Sequence, residues 1–155
     1  MRLNDLHKAQ AIALLLPSAL LGGAFAFEYI GGLFPCEMCI WQRWPHGAAI
    51  LLALLALIAK GPMRRYLVAV SLLAMAISGG IGIFHVGVEQ HWWQGLTRCA
   101  SMELNKGPLL DALWAQPFVR CDAIAWSLFG ISMAGYNAIV SLGGAILGAY
   151  WLKRA

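Results

Sequence analysis

Four long apolar runs constrain this chain more than anything else in it. They are Ala9–Tyr29, Cys39–Ala59, Tyr66–Val88 and Ile124–Leu152. Each reaches the roughly 20 residues that a helix needs to cross a hydrocarbon core. Backbone N–H and C=O groups in lipid must pair within their own segment, so the runs are expected to be helices. Their apolar residues are continuous instead of alternating, which argues against strands. The charge content agrees: 12% of residues are charged, about half the share of a soluble domain. The expected fold is all-α, an integral membrane four-helix bundle forming a single membrane domain. Its helices fall at about 9–29, 39–59, 66–88 and 124–152, with loops at 30–38 and 89–123 on one side.

Basic residues set the orientation. Arg2 and Lys8 precede the first run, Lys60, Arg64 and Arg65 fill the second connection, and Lys153 and Arg154 follow the last run. Lysine and arginine concentrate on the cytoplasmic side of spanning segments, so both termini are expected there. The two loops on the other side carry charges of mixed sign. The net charge of +4 is therefore a topology signal, with no nucleic-acid patch. Trp41, Trp44, Trp92, Trp93 and Trp126 fall near the non-cytoplasmic ends and Trp151 near the cytoplasmic end, as interfacial aromatics do. The first run shares basic residues and an Ala24-Phe25-Ala26 site with signal peptides. Its apolar stretch is longer than their core, so it is expected to remain as a helix. Gly79, Gly80 and Gly82, and the Gly144/Gly148 pair, are expected to let helices approach closely in lipid.

Four cysteines lie on the non-cytoplasmic side: Cys36 and Cys39 in a CxxC, Cys99 and Cys121 in the long polar loop. Disulfides persist in an oxidising compartment, and an even count is compatible with two bridges. Three connectivities exist, and proximity favours 36–39 with 99–121. Cys36 stands where the second helix begins, and a helix N-terminus carries partial positive charge that favours a thiolate. Arg43 follows Cys39 by four residues, on the same face and about one turn inside the membrane edge. A guanidinium there would stabilise a thiolate or a developing anion.

Other readings exist for the same residues. A Cys₄ zinc site would normally use a second CxxC, so no metal is expected. Two unreactive disulfides would make the chain a membrane scaffold without catalysis. His46 and His85 both lie near the cysteine ends of their helices, which leaves haem ligation open. His85 lining an acceptor pocket is the competing role. Between the loop cysteines, Pro108 can start a helix. Leu109, Leu110, Leu113 and Trp114 would give that helix one apolar face, suited to the membrane surface.

The chain resembles the bacterial disulfide bond formation protein B (DsbB) family. The resemblance rests on Pro35-Cys36-Glu37-Met38-Cys39-Ile40-Trp41-Gln42-Arg43, which matches the family's P-C-x-x-C-I-[YW]-x-R. It rests also on Cys121, Trp126, Gly130 and Met133, matching C-x₄-W-x₃-G-x₂-M. In the related vitamin K epoxide reductase family the loop cysteines precede the CxxC; here they follow it. The resemblance implies an enzyme of the inner membrane that reoxidises a periplasmic thioredoxin-like oxidase (DsbA type). Cys99 would form the mixed disulfide with that partner, Cys121 would attack Cys36, and the released Cys39 would face a quinone, ubiquinone or menaquinone. Arg43, Cys39 and His85 would bind the quinone. Gln42 stands where the family often has an acidic residue, so the charge beside Arg43 is expected to differ.

Overall fold

The computed structural model of the protein describes residues 3–96 and 119–155. Four helices make up almost all of it: α1 (Leu3–Tyr29), α2 (Glu37–Ile58), α3 (Gly61–Glu89) and α4 (Met133–Arg154). The last apolar run divides. Residues 124–132 are not helical; they hold a small antiparallel hairpin, β1 (Ser127–Leu128) against β2 (Ile131–Ser132). The hairpin turns through Phe129 and Gly130, both at positive φ (51° and 77°). Ser132 then caps α4, its hydroxyl accepting from the Gly135 N–H at 3.2 Å. A serine cap and a turn glycine ahead of the helix explain why apolar residues 124–131 do not join it. The surface helix expected around Pro108 lies outside the described residues.

Two helices, α1 and α3, are long and apolar enough to cross a membrane by length and composition. The packing suits lipid outside the bundle. Alanines 9, 13, 49, 53 and 56 fill the buried centre, while Leu51, Leu57, Leu73, Ile77, Ile139 and Ile146 point outward and are more than half exposed. A water-soluble surface rarely carries so much contiguous apolar area.

Close approach between helices depends on glycine. A Cβ at Gly82 would lie 3.0 Å from the Ala134 carbonyl oxygen and 3.2 Å from the Ala138 nitrogen, both backbone atoms of α4. At Gly144 it would strike Leu16 of α1, and at Gly148 Leu72 of α3. Gly80, by contrast, faces open space.

Buried hydroxyls knit the helices further. Pro17 has no N–H to give the Ala13 carbonyl one turn back. The Ser71 hydroxyl of α3 stands 3.4 Å from that carbonyl and 2.8 Å from the Ala49 carbonyl of α2. At the end that holds the basic residues, Arg64 Nε donates to Gln10 Oε1 at 2.9 Å, and Gln10 Nε2 donates to the Ala53 carbonyl at 3.3 Å.

Candidate functional site

The loop before α2 delivers Cys36 as that helix's N-cap. Its Sγ accepts from the Cys39 N–H at 3.2 Å. The two Sγ atoms lie 2.7 Å apart, so a small χ1 rotation separates them from disulfide geometry. The chain then returns from the far loop to place Cys121 against Cys36. Both are buried, and they share a cluster with Met38 and Val88. Cys99 lies outside the described residues.

Proximity of the three thiols changes the acidity expected at Cys36. Hydrogen bonding to Cys121 first, then to Cys39, together with burial, pushes the Cys36 thiol above its usual range. The lowering expected from the helix N-terminus does not prevail there. A proton shared among adjacent sulfurs is held more tightly than the helix dipole can offset.

His85 comes to this cluster from α3. Its Nε2 is 3.6 Å from Cys36 Sγ and 3.9 Å from Glu89 Oε1, one turn along the same helix. The backbone of Cys121 bonds to the same imidazole. Glu89 in turn accepts from the Ser132 hydroxyl, tying the end of α3 to the start of α4.

Arg43 projects from α2 toward α1. It forms an ion pair with Glu28, donates to the Ala24 carbonyl at 3.4 Å and stacks over the Phe25 ring at 5.0 Å. The guanidinium and the carboxylate are 15% and 19% exposed, so the charge enters the bundle already partnered. Gln42 makes no contact with Arg43 among its hydrogen bonds. It turns the other way, donating to the Met38 carbonyl at 3.1 Å and to His85 Nδ1 at 2.9 Å.

Behind Gln42 lies a polar cluster that the sequence reading did not assemble. Asn137 Nδ2 donates to Gln42 Oε1 at 2.7 Å and to the Ser78 carbonyl at 3.2 Å. Asn137 Oδ1 meets His46 Nε2 at 2.8 Å and the Ser141 hydroxyl at 2.9 Å. The Ser78 hydroxyl donates to the Gln42 carbonyl at 2.8 Å. One ring nitrogen of each of His46 and His85 thus has an amide partner. The available signal was a set of polar residues inside apolar helices, which usually face a bundle interior and mark function.

An apolar cavity of about 330 Å³ opens beside the thiols. Cys36, Cys39, Arg43 and His85 line it, with Phe27 and Trp126 among its walls. Trp126 packs against Phe27 with centroids 5.0 Å apart. His46 and Asn137 also reach it.

A family model described as disulfide bond formation protein DsbB matches residues 7–151. The chain belongs to the DsbB family. Disulfide bond formation protein B of Methylococcus capsulatus is 33% identical over 155 residues, covering 92% of this chain and 90% of the relative. The protein of the same name from Aromatoleum aromaticum is 32% identical over 140 residues, covering 79% and 77%. An uncharacterized protein of Rickettsia prowazekii is 28% identical over 145 residues, covering 90% and 84%. No solved structure matches the chain significantly. DsbB membership and the two span-capable helices together indicate an inner-membrane protein of disulfide bond formation, with a disulfide oxidoreductase role.

Proposed function

We propose that this DsbB-family chain is a thiol:quinone oxidoreductase that reoxidises a periplasmic DsbA-type oxidase. The observation that carries the reading is a dithiol, Cys36–Cys39, opening onto an apolar cavity with Arg43 in its wall. The cavity's volume falls within the roughly 300–1,000 Å³ of small-molecule sites. Its donor set suits a quinone: two thiols, a guanidinium, and aromatic and aliphatic walls. A bound quinone, ubiquinone or menaquinone, supplies a lipid-soluble acceptor for two electrons and two protons.

The chain's own residues perform the thiol chemistry. The reduced partner attacks a Cys99–Cys121 disulfide at Cys99, and the electron pair of that bond passes to Cys121. The Cys121 sulfur, packed on Cys36, attacks the Cys36–Cys39 disulfide. A Cys121–Cys36 bond forms, the Cys36–Cys39 bond breaks, and its electron pair stays on Cys39. Cys39 borders the cavity with Arg43 one turn further along α2. A cation in a site that excludes water stabilises negative charge far more than it would in bulk solvent. The four helices would then be four spans with both termini cytoplasmic, the cysteines facing the periplasm, and lipid around the bundle.

The test is quinone reduction by purified protein with a reduced DsbA-type donor, comparing wild type with Cys39→Ser. Turnover in the wild type and its loss in the variant are expected. Failure of folded wild type to reduce either ubiquinone or menaquinone analogues would refute the reading.

A further inference from the structure

The geometry points to His85 being locked, through Gln42, in the tautomer that carries its proton on Nε2. It thereby serves as a fixed hydrogen-bond donor to the Cys36 sulfur. Two backbone carbonyls, which accept hydrogen bonds and never donate them, fix the tautomer. Gln42 places one amide atom 3.1 Å from the Met38 carbonyl, so that atom must be its nitrogen. The same nitrogen is 2.9 Å from His85 Nδ1. The amide therefore donates both its hydrogens, and Nδ1 must be an acceptor. A neutral imidazole with a bare Nδ1 carries its proton on Nε2.

The second carbonyl secures the first. Asn137 places an amide atom 3.2 Å from the Ser78 carbonyl, so this atom too is nitrogen. It donates to Gln42 Oε1 at 2.7 Å, which fixes Gln42 from its other end. Turning either amide over would set oxygen against oxygen at Met38, Ser78 or between the two side chains. The orientation does not rest on one contact.

The surroundings of Nε2 fit a donor. Cys36 Sγ stands at 3.6 Å and Glu89 Oε1 at 3.9 Å, and the Cys121 backbone bonds to the ring. Among the described residues, Cys36 and Cys39 at the start of α2, Cys121 from the returning loop and Glu89 from α3 are the titratable residues placed around this ring. Arg43 lines the same cavity and is neutralised by its ion pair with Glu28. In any exchange step that breaks a bond to Cys36, an electron pair left on its sulfur falls opposite the Nε2–H. The bare lone pair lies on the other side of the ring, under Gln42. His85 in this state does not take the Cys36 proton. Nor does it offer Nε2 to a metal, although Cys36, Cys39 and His85 are close enough together to suggest one. Gln42 and Asn137 are positioning residues, acting on the sulfur through the imidazole.

This inference rests on the thiol-exchange half of the proposed function and not on the quinone half. ¹⁵N NMR of the His85 ring in the intact protein tests the tautomer without any substitution. A proton-bearing Nε2 and a bare Nδ1 are expected; a proton-bearing Nδ1 would overturn the proposal. The donor role is read, without quinone, in single-turnover attack of Cys99 on Cys121 of the Cys121–Cys36 disulfide, the step that re-forms the Cys99–Cys121 bond and leaves the electron pair on Cys36. His85→Leu should slow it about tenfold, the scale of one hydrogen bond to a charged sulfur. His85→Gln, which keeps an N–H donor, should recover most of the rate. Equal rates in His85→Leu and wild type, or no recovery in His85→Gln, would overturn the donor role. Wild type that performs no exchange at all would instead overturn the reading of the chain as a disulfide oxidoreductase.

Discussion

Asn137→Leu is the most informative single substitution outside the cysteines. Asn137 reaches two other helices: Gln42 and His46 on α2, and Ser78 on α3. Interhelical side-chain hydrogen bonds in membrane proteins average about 0.6 kcal/mol, so three amount to about 2 kcal/mol. The losses are unequal. His46 Nε2 keeps the Ser78 hydroxyl at 2.9 Å, whereas Gln42 Oε1 loses the partner that Asn137 provides. A stranded buried acceptor adds about 1–3 kcal/mol. Leucine keeps the branching at Cγ and is the larger side chain, so no cavity is left. The expected destabilisation is about 3–5 kcal/mol, read by reversible unfolding in mixed micelles of mild and denaturing detergent. Ser141→Ala is the control. It removes one bond within α4, and should cost less than about 1 kcal/mol. An Asn137→Leu protein as stable as wild type would refute the claim that these amides hold the helices together. The ¹⁵N signal of His85 should also broaden or shift in this variant, because Gln42 loses its second anchor.

Further outcomes can be checked separately. Gly82→Val should part α3 from α4 and cost about 1–3 kcal/mol, the range for overpacking, because the obstructing atoms are backbone; Gly80→Val, facing open space, should be near neutral in the same unfolding assay. Arg43→Ala should raise the KM for a quinone analogue more than it slows attack by the partner, and equal losses would indicate misfolding. Cys121→Ser should accumulate a mixed disulfide between the partner and Cys99, visible on non-reducing gels. Arg120 holds the Asp122 carboxyl below its usual range through a hydrogen bond at 2.8 Å. A depressed carboxylate contributes above its unfolded pKa and loses that contribution only as pH falls through its folded value, below 3.8. Asp122→Asn should therefore leave the pH dependence of Cys121 exchange unchanged above about pH 5.

Some of this was open to reading from the residues. Continuous apolar runs dictate helices in lipid because the backbone has no other partner there, and α1, α2 and α3 extend over the first three runs. The CxxC marks a dithiol at a helix start because its spacing brings both sulfurs to the first turn. The fourth run misled at its beginning: Ile124, Ala125 and Trp126 are apolar, yet Gly130 and Ser132 turn and cap the chain before α4 starts. Apolarity alone does not separate an apolar hairpin turn from a helical turn.

The amino-acid order by itself determined the helical class and the placing of Cys36, Cys39 and Arg43 along the start of one helix, since each depends on neighbours along the chain. Tertiary structure alone decided which partner each polar group takes. Arg43 meets Glu28 from another helix, Gln42 spans Met38, His85 and Asn137, and Cys36 is crowded by a cysteine 85 positions away. Helix rotation and crossing set those pairings. They turn on which small residues let two backbones approach, a property of contacts across the bundle that no local pattern encodes.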